Sequence, residues 1–274
     1  MIYYFSQIVT RLFDVIVVPF GDHRTVALSV ISLLTGVALI FIFKATSNQR
    51  RIKETRDRFK ARILEMRLYQ DDIVLIHKAL FAALATNLTY LRASIKPILV
   101  LVAFVFVIFI QLDERYGRRA LEPGEKALLS VTLKDGLDPM RVPVDLTMGE
   151  GLSTDSRPVR SGAERQIFWR IRADQPGTHD IDIEVYDKNY RFPVCAERSN
   201  ATVGHVRVAL SWSNVLLFPS LPRIPAESPI KKVELRYPRA TYPLLVWKTH
   251  WLVVFIVFSF IGALIPKFLF GIQI

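Results

Sequence analysis

The sequence predicts an α-helical membrane protein with three transmembrane helices, a cytoplasmic helical hairpin and an inserted all-β, immunoglobulin-like exterior domain. Three observations carry this. The chain has 274 residues, 51% of them apolar, and a mean hydropathy of +0.28, greasier than most soluble chains. Three uncharged apolar runs stand far apart, and one long segment between the second and third alternates apolar with polar residues.

Residues 1–23 read as an N-terminal interfacial helix. Met1 to Phe20 lacks a basic leader, contains Arg11 and Asp14, and shows no small-residue cleavage site, which argues against a signal peptide. Pro19 and Gly21 stop the helix, and a short fourth or re-entrant span is the alternative. The first span covers residues 24–44. Its nineteen uncharged residues from Thr25 to Phe43 make about 28 Å of helix, close to the hydrocarbon thickness. The second span covers 96–112, entered at Lys96 and Pro97 with the lysine snorkelling. The third lies in 244–274, an apolar run from Thr249 to Pro266 between Lys248 and Lys267, with Trp247 and Trp251 suited to an interfacial belt.

Orientation follows the Lys/Arg bias of short loops. Residues 45–96 hold eleven Lys or Arg against five acids, whereas 113–248 hold twenty-one against eighteen. The prediction is an integral membrane protein with the N-terminus outside, the basic loop inside, the large domain outside and the C-terminus cytoplasmic. A bacterial or archaeal cytoplasmic membrane suits this arrangement. Topology accounts for most of the net charge of +11, so no specific nucleic-acid partner is needed.

Residues 45–95 leave and re-enter on one face and must therefore turn. Ile52, Phe59, Ile63 and Met66 form one stripe, and Ile73, Ile76, Leu80, Leu84, Leu88 and Leu91 another, predicting a hairpin closed through both. Asp71 or Asp72 would cap the second arm. Arg50, Arg51, Lys53 and Arg56 on the first arm, with Leu80 and Leu84 on the second, are the residues expected to touch lipid headgroups or a client. A ribosome is a further candidate partner.

Residues 113–243 read as the exterior β-sandwich with a proline-rich connector, "LLFPSLPRIPAESP", leading back to the membrane. "ALLSVTLKDG", "RQIFWRIRADQPGTHDIDIEVYD" and "HVRVALSW" alternate as half-buried strands, "DQPG" turning between two of them. About seven strands fit an immunoglobulin-like sandwich. Asp180, Asp182 and Glu184 fall on the solvated face, with calcium the weaker alternative. His179 and His205 have no ligand partners at metal spacing, and Cys195 is the single cysteine. No catalytic residues, metal site or cofactor motif is found, and the chain is read as a non-enzyme.

Within the first span Thr25, Ser29, Ser32 and Gly36 share a face, with Thr35 beside it. Small residues at this spacing ordinarily let helices pack closely. The alternative is one wall of a shallow hydrophilic groove, completed by Gln111, Ser259 and the Thr86, Asn87 and Thr89 patch.

An outside N-terminus, one span, a basic hairpin, the Lys96–Pro97 entry into a second span and a third span ending near "FGIQI" together resemble the YidC/Oxa superfamily of membrane-protein insertases. The resemblance is to its small three-span branch, which includes archaeal YidC-like proteins and the insertase-like subunit of the endoplasmic-reticulum membrane protein complex. It covers about Thr25 to Leu112 and Thr249 to Ile274. It implies a nucleotide-independent insertase or chaperone that passes hydrophobic segments or nascent membrane proteins into the bilayer. The rival reading is a non-catalytic scaffold subunit whose exterior sandwich binds a protein partner.

Overall fold

The chain was analysed as a computed structural model describing all residues except 1, 22, 69–72, 198–202, 210–213, 215–220, 245 and 271–274. Among the described residues five α-helices follow the apolar and basic segments in order: α1 (Ile2–Val17), α2 (Arg24–Thr46), α3 (Gln49–Leu68), α4 (Ile73–Tyr116) and α5 (Trp251–Phe270). Among the described residues three stretches are long and apolar enough to cross a membrane: Arg24–Thr46, Ser94–Tyr116 and Trp251–Leu269. The chain divides into two compact units. One comprises Met1–Leu28 and Ile108–Trp251, the other Ser29–Val107 and Leu252–Ile274.

Among the described residues of the first unit, nine strands build two sheets around one core. The larger runs β3 (Leu152–Thr154), β5 (Gln166–Ala173), β1 (Lys126–Leu133), β9 (Ile230–Arg236), β8 (Val206–Val208), with β4 (Val159–Ser161) also paired to β5. The smaller runs β2 (Val144–Met148), β6 (Thr178–Val185), β7 (Lys188–Cys195). Alternation selects the inner face: Leu129, Val131, Ile167, Ile171, Ile181, Ile183, Phe192 and Leu235 are fully buried in a shared core. Pairing stacks like with like, placing Leu129 opposite both Trp169 and Leu235, and Val131 opposite Ile167 and Val233.

One expectation for this region is met and one is corrected. The 174–177 turn joins two strands as expected, and it carries the chain from one sheet to the other, because β5 pairs with β1 and β6 with β2 and β7. The proline-rich connector leads into β9, which lies between β1 and β8, rather than back to the apolar helix. Strand β7, the last of its sheet, contains Pro193, and its Arg191 carbonyl accepts from the Arg207 guanidinium. A hairpin of β10 (Tyr242–Leu244) and β11 (Trp247–Thr249) precedes α5.

The β6–β7 hairpin turns on Tyr186 and Asp187, both at positive φ (48° and 60°). Such a two-residue turn matches the strands' twist but ordinarily favours Asn-Gly, so both residues carry a local cost.

In the second unit, α2 and α5 meet through glycines. A Cβ on Gly36 would lie 1.9 Å from the Ser259 carbonyl oxygen, and one on Gly262 2.2 Å from that of Leu33. The apolar side chains Leu34, Phe41, Ile256, Phe260 and Ile265 point outward.

The predicted second arm and second span are one helix. α4 runs for 44 residues, with Pro97 inside it. Proline lacks the N–H that would bond to the carbonyl four residues back, so Pro97 weakens the ladder without ending it. Along the described part of the arm, Leu80, Leu84, Leu88 and Leu91 are 40–56% exposed, as is Ile63 of α3 at 48%. The hairpin is therefore not closed through these residues. The capping expectation for Asp71 or Asp72 lies outside the described residues.

Candidate functional site

The predicted groove residues separate into two settings. In the second unit Ser32 is fully buried, Thr35 buried, and Ser29 and Ser259 half-buried. The Thr35 hydroxyl donates to the Ile31 carbonyl at 2.8 Å, and the Ser259 hydroxyl to Ile256 at 3.1 Å. Back-bonding of this kind satisfies a hydroxyl inside its own helix and reduces what it offers another chain. Together with the Gly36 and Gly262 approaches it makes the small-residue face a helix-packing surface.

Thr86 follows the same pattern, donating to Ala82 at 2.8 Å, while Asn87 is exposed. The side chain of Thr89 lies outside the description.

Gln111 sits in the first unit and does other work. Its amide donates to the Thr10 hydroxyl at 3.2 Å on α1. One turn on, buried Arg115 pairs with Asp14 at 2.7 Å and donates to the Thr10 carbonyl at 3.1 Å. Arg24 donates to the Arg115 carbonyl and lies 5.9 Å from the Tyr116 ring centroid, while the Tyr242 hydroxyl donates to the Tyr116 carbonyl at 2.9 Å. The Thr10 and Asp14 contacts staple α1 to the end of α4, while Arg24 and Tyr242 tie the start of α2 and β10 to the same end. The sequence reading missed the staple, although Asp14 and Arg115 were visible as opposite charges beside apolar runs.

α1 itself is amphipathic as expected, with Phe13 and Val17 buried and Ile8, Leu12 and Val15 exposed. Trp247 is 78% exposed, as suits an interfacial residue. Trp251 is a correction: it is buried edge-on against Phe109, with ring centroids 4.9 Å apart, and does not contribute to an exposed belt.

On the basic arm, Arg50 pairs with Glu54 at 3.0 Å on an exposed surface, a contact worth a few tenths of a kcal/mol. Lys53 is exposed, Arg56 half-buried, and the side chain of Arg51 lies outside the description. Leu80 and Leu84 stand exposed.

In the β region Asp180, Asp182 and Glu184 line the outer face of β6, where Arg191 approaches Asp182 at 3.3 Å and Asp180 at 3.8 Å. The His179 ring lies 3.0 Å from the Gln175 carbonyl. His205 is buried and its Nδ1 is 3.8 Å from the Glu114 carboxylate, beyond hydrogen-bond range. Burial, reinforced by Arg118, pushes its pKa down to about 4, so the ring is neutral at neutral pH. Tyr242 is pushed up to about 12 by burial. Among the described residues no three His, Cys, Asp or Glu converge on a metal-sized site.

Comparison with protein-family models, curated proteins and solved structures finds no match to this chain.

Proposed function

We propose that this chain is an integral membrane insertase or chaperone of the YidC-like kind, with three spans, an exterior N-terminus and a cytoplasmic C-terminus. Its β region is read as an immunoglobulin-like sandwich on the exterior face. One observation carries the reading: a row of exposed apolar side chains, Leu80, Leu84, Leu88 and Leu91, stands on the same continuous helix as the second apolar stretch. Such a row has an unfavourable contact with water that a hydrophobic client or acyl chains would relieve. The basic arm α3 beside it in sequence suits anionic headgroups or a ribosome.

The second reading, a scaffold subunit whose exterior sandwich holds a protein partner, is favoured by the Gly36 and Gly262 approaches and the back-bonded hydroxyls. These leave α2 and α5 locked rather than grooved.

Site-specific photocrosslinking distinguishes the two, with probes at Leu84, at exposed Leu34 of α2 and at exposed Tyr186. Ribosome-bound nascent membrane proteins captured at Leu84 and Leu34 sustain the insertase. One fixed protein at Tyr186, with no nascent chain at the other positions, replaces it with the scaffold.

A further inference from the structure

The first unit contains a polar cleft of about 520 Å³ that the insertase reading does not use. Its charged and titratable walls are Asp113, Arg118, Glu234, Arg236, Arg239 and His250. The backbone builds it firmly. Residues 118 and 239 face each other across an antiparallel bridge, flanked by hydrogen bonds from the Arg119 N–H to Pro238 at 3.0 Å and the Ala240 N–H to Gly117 at 3.1 Å. Gly117 is required where the chain leaves α4, because a Cβ there would lie 2.5 Å from the Asp113 carbonyl oxygen. Arg236 ends β9.

Charge in the cleft is uneven. The Asp113 carboxylate is engaged by Arg118 at 3.4 Å, and that of Glu234 by Lys232 at 2.5 Å. Both acids thus have cationic partners of their own. Arg236 and Arg239 are exposed and form no ion pair among the described residues. The walls carry three guanidiniums, Arg118, Arg236 and Arg239, against the two carboxylates of Asp113 and Glu234, the latter lying in the field of Arg236 as well as Lys232; this excess, with a histidine on the wall, makes an electropositive recess, and the planar fork of arginine matches phosphate oxygens in pairs.

The position narrows the ligand further. Asp113 lies in the last turn of α4, and His250 immediately precedes α5, so the cleft is at the ends of two of the three helices long enough to cross a membrane. On the membrane reading proposed above, such residues stand at headgroup level.

We propose that this cleft is an anion site that binds a phosphate group through Arg236 and Arg239, supplied either by an anionic phospholipid of the exterior leaflet or by a soluble phosphate compound. The lipid source rests on the membrane reading, and the soluble source does not.

The test uses the full chain purified in a neutral detergent, as wild type, as the Arg236→Gln/Arg239→Gln double variant, and as Arg141→Gln, an exposed arginine away from the cleft. One arm counts retained phosphatidylglycerol against phosphatidylcholine by native mass spectrometry. The other titrates inorganic phosphate while following thermal unfolding. Wild type and Arg141→Gln are expected to hold the anion about tenfold more tightly than the double variant, with the difference shrinking as salt is raised.

Selective retention of phosphatidylglycerol assigns the lipid source; protection by inorganic phosphate alone assigns the soluble one. Equal behaviour of wild type and double variant in both arms overturns the site. If the double variant fails to fold, the single variants, each removing one exposed guanidinium, decide by the same criterion. Alkaline extraction run in parallel keeps the readings apart: a chain released from membranes sinks the spans and the lipid source, while the inorganic-phosphate arm still judges the cleft.

Discussion

The two units solve packing in opposite ways. The β region buries large branched side chains, such as Ile167, Ile181 and Ile183, at zero exposure. The α2–α5 pair instead brings backbones together at Gly36 and Gly262 and turns Phe260 and Ile256 outward. The first pattern is what water enforces, since burying apolar area is the main favourable term there. The second relies on close van der Waals contact through small residues, the packing mode that on the membrane reading needs no hydrophobic drive between helices. The same residue types thus read differently in the two halves.

The sharpest way to break the contrast is to enlarge a small residue in the helical unit. Gly36→Leu forces a side chain into the Ser259 carbonyl and is expected to cost about 3 kcal/mol or more, seen as lost protease resistance and a lower unfolding midpoint in detergent. In the β region shrinkage is the damaging direction. Ile183→Ala empties a fully buried site and should cost about 3 kcal/mol in chemical denaturation, with full retention of stability as the result that contradicts a shared core.

A pH titration probes the same burial. His205 is neutral in the fold, with its pKa depressed to about 4 against an ordinary 6.5. Between those values the unfolded chain binds the extra proton and the native one does not. Stability is therefore whole above about pH 6.5 and falls as acid is added through pH 4, by at most about 3 kcal/mol. His205→Gln should flatten that slope.

A gain is expected at the β6–β7 turn. Tyr186→Asn with Asp187→Gly relieves two positive-φ side chains and should add about 1 kcal/mol, read as a higher denaturation midpoint. The smallest effect belongs to Phe260→Ala. Its ring is 64% exposed on α5, so detergent-solubilised stability should change by under about 1 kcal/mol, in contrast to the core isoleucine.

Much of this architecture was legible because its signals are local. The three apolar stretches announce themselves by length, and β1, β5 and β6 by alternation of Leu129 with Ser130, Trp169 with Arg170, and Ile181 with Asp182. β9 was not, since "IKKVELR" follows a proline-rich run that reads as a connector. The β6–β7 hairpin hid for another reason: its turn residues, Tyr186 and Asp187, are not those the geometry usually selects.

The candidate site was less legible still. Ser29, Ser32 and Gly36 have the same spacing whether the face opens to a client or closes on a helix. What closes it is Gly262, far along the chain. Gln111 belongs to a staple made with Thr10, and the cleft gathers Arg118, Arg236 and Arg239 from segments that no local pattern links.

Pro193 and Arg207 have a consequence beyond their own sheet. β7 is a border strand whose backbone groups would otherwise present a template for another chain. A proline without an N–H stands within it, and the Arg207 guanidinium occupies the Arg191 carbonyl. On the membrane reading, copies of this domain diffuse in a plane, all upright and at one height, so collisions bring like borders together far more often than in free solution. Those two residues remove one donor and occupy one acceptor on that border, so a like border meets an incomplete ladder there.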